Sequence, residues 1–157
     1  MNDLKVQIEA LTRRVQALED ELAIHRLIVR YGFAVDIGDA EHTAALFTPD
    51  TVYDIDVGVL RGRDGIRQMV VTDPHRSLVG NCAHQIGPAV VEVQGDRAVA
   101  TGYSRVYLRK GEDIEVFRVS FNRWELERRD GEWQIAYRTT RLLGHEEAKK
   151  IFAAALQ

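Results

Sequence analysis

The sequence predicts an α+β fold, a cone-shaped curved antiparallel sheet wrapped around N-terminal helices. Three observations carry this. Apolar residues recur at helical spacing from Leu4 to Val35. The period shifts to two from Thr51 onward. Gly95-Asp96, Lys110-Gly111 and Asp130-Gly131 sit in hairpin-turn positions between four long strand candidates. Helices followed by a meander of strands is the α+β pattern. A long sheet curled around a helix leaves one open mouth, a natural place for a small molecule.

Leu4, Ile8, Leu11, Val15, Leu18 and Leu22 alternate spacings of four and three, the seam of a coiled coil or of a docked amphipathic helix. About three heptads is short for an independent coiled coil. Packing on the protein's own body and zipping between subunits both remain open. Residues 1–20 are read as an amphipathic helical extension and 21–157 as the α+β barrel domain. The helix continues through Ala23–Val35, with Ile24, Leu27, Ile28 and Tyr31 as a second apolar stripe. Gly38 stops it. A short helix follows near Glu41–Phe47, broken by Thr48-Pro49-Asp50. Val52–Val57 reads as a strand ending at a turn with Gly58, and Arg63–Val71 as a helix. The long strands are Ala83–Val93, Arg97–Arg109, Ile114–Arg128 and Glu132–Leu142, and His145–Leu156 closes the chain as a helix.

With 157 residues the chain has one domain's length and can bury a core. A formal net charge of −3 offers no basic field for nucleic acid or an anionic membrane. No run approaches the ~20 apolar residues of a membrane span. The segment MNDLKVQIEA lacks the apolar stretch of a secretory signal, and a cytoplasmic location is expected. Cys82 is the only cysteine, which excludes an intrachain disulfide and argues against a thiolate metal cluster.

The chain has no Gly-rich phosphate loop, no HExxH and no GxSxG. His25, His42, His75, His84 and His145 show no metal-ligand spacing, so neither metal nor cofactor is expected. General acid–base chemistry by single side chains is left. His84 opens a strongly apolar strand. Asp36 ends an apolar helix, where a carboxylate needs a partner to be buried. It is either a cap near Gly38 or the group that fixes the imidazole tautomer. Tyr31, five residues earlier, points roughly 140° away from Asp36 at about 100° per residue. Both border one pocket only if the helix lies inside the cone. Tyr53 can donate to a substrate oxygen. Arg118, Asn122, Arg138 and Arg141 are polar positions in otherwise apolar strands, facing either water or a substrate anion.

These residues carry a resemblance. From about Leu18 to Phe152 the chain resembles the SnoaL-like branch of the nuclear transport factor 2-like superfamily. The landmarks are Tyr31-Gly-Phe-Ala-Val-Asp36, Ala45-Leu-Phe-Thr-Pro-Asp50, Cys82-Ala-His84 and Glu127-Arg-Arg-Asp-Gly-Glu-Trp133-Gln-Ile135. That branch includes scytalone dehydratase, bile acid 7α-dehydratase, a hexachlorocyclohexane dehydrochlorinase and polyketide cyclases. The resemblance implies that Asp36 and His84 form a catalytic dyad. It matches Tyr31 and Arg141 to an active-site tyrosine and arginine of the bile acid enzyme. It matches Tyr53, Cys82 and Arg138 to pocket positions of the dehydrochlorinase.

Departures narrow it. Tyr31 stands where the dehydrochlorinase has a lysine, and Arg105-Val-Tyr-Leu108 lacks the bile acid enzyme's second aspartate. No second histidine lies between Gln85 and Gly144 to match that of scytalone dehydratase. The implied activity is a cofactor-independent, dehydratase-type lyase acting on a small hydrophobic carbonyl or hydroxy compound. A cyclase or isomerase with the same dyad, or a non-catalytic small subunit of a ring-hydroxylating dioxygenase, are the alternatives. The resemblance also implies a homo-oligomer, a trimer favoured over a dimer.

Overall fold

The computed structural model describes residues 2–157. Helix α1 runs unbroken from Asn2 to Asp36, across the expected boundary at residue 20. It is followed by α2 (Ala40–Ala45), strands β1 (Phe47–Ile55) and β2 (Gly58–Arg61), helix α3 (Gly62–Val71) and a 3₁₀ turn at His75–Leu78. Then come β3 (Cys82–Gln94), β4 (Arg97–Lys110), β5 (Asp113–Arg129), β6 (Glu132–Leu142) and α4 (Ala148–Ala154). Among the described residues no helix is long and apolar enough to cross a membrane.

The six strands form one curved sheet in the order β2-β1-β6-β5-β4-β3. Two features differ from the sequence expectation. The sheet is open, with β2 and β3 as its edges, and it is mixed, because β1 pairs parallel to β6. A parallel pair needs a long crossover, and here about half of the chain lies between the partners. The Ile135 amide donates to the Leu46 carbonyl at 2.9 Å, which fixes where β1 enters. That entry draws Thr48, Pro49 and Asp50 into β1 rather than leaving them as a break. Strand β2 is too short to show alternation, and sequence reading saw only its first residue as a turn.

Along β4 to β6 one face is sealed. Ala98, Ala100, Trp124, Leu126 and Ile135 are buried there with Phe47 and with Ile24, Leu27, Ile28 and Tyr31 of α1. The N-terminal half of α1 behaves otherwise. The six residues of the heptad seam stand between 49% (Leu22) and 67% (Leu18) exposed, so the seam does not pack on the chain's own body.

Asp20 is the exception in that half. It is buried, and its carboxylate accepts from Arg128 Nη1 at 2.7 Å, Arg128 Nη2 at 3.0 Å and Trp133 Nε1 at 3.1 Å. Burial works to raise its carboxyl, but the hydrogen bonds from Arg128, Trp133 and Gln16 outweigh it and hold it below the ordinary value. Asp20→Ala would strand these donors and is expected to cost about 2–3 kcal/mol in urea unfolding. Because the folded value is depressed, this stabilisation is complete above the ordinary carboxylate range near 3.8. It is lost as pH falls through the lower folded value, so the native and Asp20→Ala proteins should converge in stability only below that range.

Candidate functional site

The last turn of α1 delivers Asp36 to the edge strand β3. Gly38, at φ 73°, lets the chain turn off the helix immediately afterwards. Asp36 Oδ2 accepts the backbone N–H of His84 at 2.8 Å, and Oδ1 lies 2.6 Å from the ring Nδ1. As an edge strand β3 has amides that no neighbouring strand satisfies, and Asp36 takes one of them. A carboxylate accepts only, so Nδ1 carries the ring proton and Nε2 keeps a free lone pair. The side chains are 15% (His84) and 19% (Asp36) exposed, shielded yet reachable.

Gly32 makes this approach possible. A Cβ there would lie 2.9 Å from the His84 carbonyl oxygen and 3.4 Å from its Cβ. One turn before Asp36 on the helix, it lets α1 and β3 touch backbone to side chain. The sequence signal was present, a glycine inside an otherwise continuous helix, but its role depends on which strand comes near.

Cys82, two residues before His84 on the same strand face, places Sγ 3.5 Å from Asp36 Oδ1. Burial, then Asp36, pushes its thiol up to about 11, so it stays protonated and is no ready nucleophile. Asp36, Cys82 and His84 offer O, S and N atoms within 4.8 Å of one another, a set of metal-ligand type. The fit is poor. Both Asp36 oxygens are already engaged by His84, and the raised thiol resists becoming a thiolate.

The sheet register sets His84, Val106 and Arg118 in one row across β3, β4 and β5. Successive strands are about 4.8 Å apart, so roughly 10 Å separates the outer two. Arg118 is tied to Asp56 and donates to Ser120 Oγ at 2.9 Å. Deeper on the same face lies a polar network. Arg138 donates to Asn122 Oδ1 at 2.9 and 3.3 Å, Thr140 donates to the same oxygen at 2.7 Å, and Asn122 donates to Ser104 Oγ at 2.8 Å.

Arg138 is 2% exposed and makes no ion pair among the described residues. Its guanidinium carbon sits 4.4 Å from the Tyr31 ring centre, 4.5 Å from that of Tyr53 and 5.4 Å from Trp124. Its Nη1 is buried with no hydrogen-bond partner. Burial raises the Tyr31 phenol above its ordinary value, Tyr53 adds to this, and Arg138 offsets part of it. Tyr31 therefore stays a donor.

Tyr31, Tyr53, Asn122 and Arg138 thus gather inside the sheet, and Asp36, His84 and Cys82 meet at its β3 edge. Arg141 is not brought in. Strand residues alternate faces, and Thr140 points inward. Arg141 therefore points out, where Asp54 Oδ2 and Glu147 Oε2 each hold it at 2.8 Å. Sequence reading passed over His75. The 3₁₀ turn sets its ring centre 6.1 Å from that of His84, with Nε2 2.9 Å from the Val35 carbonyl. No periodicity or spacing signals that contact. Surface hollows along α1, such as the one bounded by Arg30, Phe33, Ile37, His42 and Leu46, contain neither dyad residue.

Residues 16–139 match the SnoaL-like domain family. An NTF2-like protein with a cystatin-like fold from Novosphingobium aromaticivorans is similar at 36% identity and TM-score 0.86, over 90% of this chain and 94% of that one. A protein of unknown function from Mycobacterium tuberculosis is 30% identical, with TM-score 0.75, over 81% of this chain and 73% of that one. The fold is also shared with a hexachlorocyclohexane dehydrochlorinase from Novosphingobium barchaimii, at 20% identity and TM-score 0.70, over 83% and 90% of the two chains. No curated protein matches the chain in sequence.

Gly32→Ala sets two effects against each other. Alanine favours a helix by about 1 kcal/mol, while the clash with β3 is expected to cost about 1–3 kcal/mol. A lower Tm, together with a shifted His84 ring signal in NMR spectra, is the expected outcome. A higher Tm with an unmoved ring would mean the close approach is not tight.

Proposed function

The chain belongs to the SnoaL-like domain family, and from that membership we propose that it is a dehydratase-type lyase that needs no cofactor. Its substrate is a small hydrophobic carbonyl or hydroxy compound. His84 Nε2 removes a proton from carbon next to a carbonyl or similar group, Asp36 orients the ring, and the electrons released move toward oxygen. In the elimination the C–H electrons become the new C=C bond, the C–O bond breaks, and the departing hydroxide leaves as water with a proton returned by the imidazolium or by Tyr31.

The observation that carries this reading is the 2.6 Å contact between His84 Nδ1 and Asp36 Oδ1. A carboxylate so placed favours the tautomer with a basic Nε2 and stabilises the imidazolium formed after proton transfer. The unpartnered Nη1 of Arg138 and the protonated Tyr31 supply what an oxygen gaining negative charge requires. Related folds include a dehydrochlorinase, whose named reaction is likewise an elimination.

The test is a panel of hydrophobic β-hydroxy carbonyl compounds, followed by the absorbance of the conjugated product. His84→Ala is expected to lower kcat by about 10²–10⁴. Asp36→Asn should also lower it, and the double variant should be little worse than His84→Ala, because groups acting as one unit fail together. Undiminished turnover in His84→Ala would end the proposal. A rearranged or ring-closed product, with no loss of water, would move the assignment to isomerase or cyclase with the same dyad.

The state of the donor set makes a second prediction. Dialysis against a chelator should leave kcat unchanged. Loss of activity that returned on adding one divalent metal would overturn the metal-free reading.

A further inference from the structure

Helix α1 carries two apolar faces on opposite sides. Asp20, Ile24, Leu27, Ile28 and Tyr31 are at most 6% exposed and face the chain's own sheet. At about 100° per residue, the seam of Leu4, Ile8, Leu11, Val15, Leu18 and Leu22 lies about 180° around the helix. Those six are 49–67% exposed. Val29 and Phe33, 39% and 64% exposed, continue the open row to the domain end of the helix. A row this long is larger than scattered surface apolar residues and marks an interface.

We propose that the seam is covered by the same seam of a second copy, as a parallel two-stranded coiled coil. The heptad positions argue for two strands. Ile8, Val15 and Leu22 occupy a, and Leu4, Leu11 and Leu18 occupy d. Ile8 and Val15, two of the three a residues, are β-branched, and with leucine at d they favour a parallel dimer, so this seam makes a dimer rather than the trimer favoured from the family resemblance.

Charge sets the direction. In a parallel pair, each g residue faces the following e residue of the other helix. Arg14 then faces Glu19 of the second copy, Glu21 faces its Arg26, and Gln7 faces its Thr12. Both charged pairs are attractive, and all four residues are exposed on the single chain. An antiparallel pair with the same apolar rows aligned would set Arg14 against Arg14, a like-charge contact.

The fold removes the usual objection to so short a coil. Leu4 to Leu22 covers about 27 Å, marginal for a free peptide. Here the helix is anchored to the sheet from Asp20 onward, so its nucleation does not depend on dimerisation. Because the two faces oppose each other, pairing along Leu4–Leu22 leaves the Ile24–Tyr31 face on each chain's own sheet.

Light scattering of the full chain at micromolar concentration should give twice the chain mass. Leu11→Glu combined with Leu18→Glu should give a monomer with native tryptophan fluorescence. Arg14→Glu or Glu19→Arg alone should weaken the dimer by roughly tenfold, and the two together should restore it. Leu11→Cys should cross-link to itself under oxidation, with the native chain as control for Cys82, because d faces d only in the parallel arrangement. These last two experiments decide the matter even if the double glutamate variant fails to fold. A monomeric native chain, a trimer, an oligomer unmoved by the changes at Leu11 and Leu18, or no restoration by the charge swap would each overturn the proposal.

Discussion

The carboxylate of Asp36 joins the end of α1 to the edge of the sheet through two hydrogen bonds, 2.8 Å to the His84 amide and 2.6 Å to its ring. One bond fixes the strand and the other fixes the side chain on it. The imidazole is therefore oriented by the same group that anchors its backbone. The arrangement needs an edge strand with a free amide, a helix that ends where that amide points, and no side chain between them. The open sheet supplies the first, Gly38 the second and Gly32 the third.

The interior answers the edge with the opposite charge. A buried cation without a carboxylate costs several kcal/mol. The ring faces of Tyr31, Tyr53 and Trp124 around Arg138 each return about 0.5–2 kcal/mol, and Asn122 accepts two of its N–H groups. One nitrogen is still left without a partner. A cation held this way keeps one donor uncommitted inside the fold. An arginine neutralised by its own carboxylate, as Arg141 is by Asp54, is committed instead.

Helix α1 couples these features to the outside. Its C-terminal half carries Tyr31, Gly32 and Asp36, and its N-terminal half carries an apolar seam on the side opposite Tyr31. Asp20 sits where the two meet, and its bonds to Arg128 and Trp133 fix the angle at which the helix leaves the domain. One element thus sets the floor of the site, the position of the Asp36–His84 pair and an open apolar row on the surface.

Much of this was legible in the sequence because it is periodic. Helical spacing identified α1, and alternation with glycine turns located β3 to β6, with β6 at Glu132–Leu142 in both readings. Asp36 and His84 stood out because an apolar run made a polar residue conspicuous, and the family landmarks paired them. Pairing across 48 residues, by contrast, is a fact of packing. The alternation of β6 could mark Arg138 and Arg141 as polar but not say which face was inside, and only the folded sheet sent one inward and the other out. The parallel joining of β1 to β6, the nearness of His75 and the need for glycine at position 32 are likewise tertiary. Local sequence encodes the period of an element and the chemistry it carries, whereas its neighbours are chosen by the burial and hydrogen bonding of the whole chain.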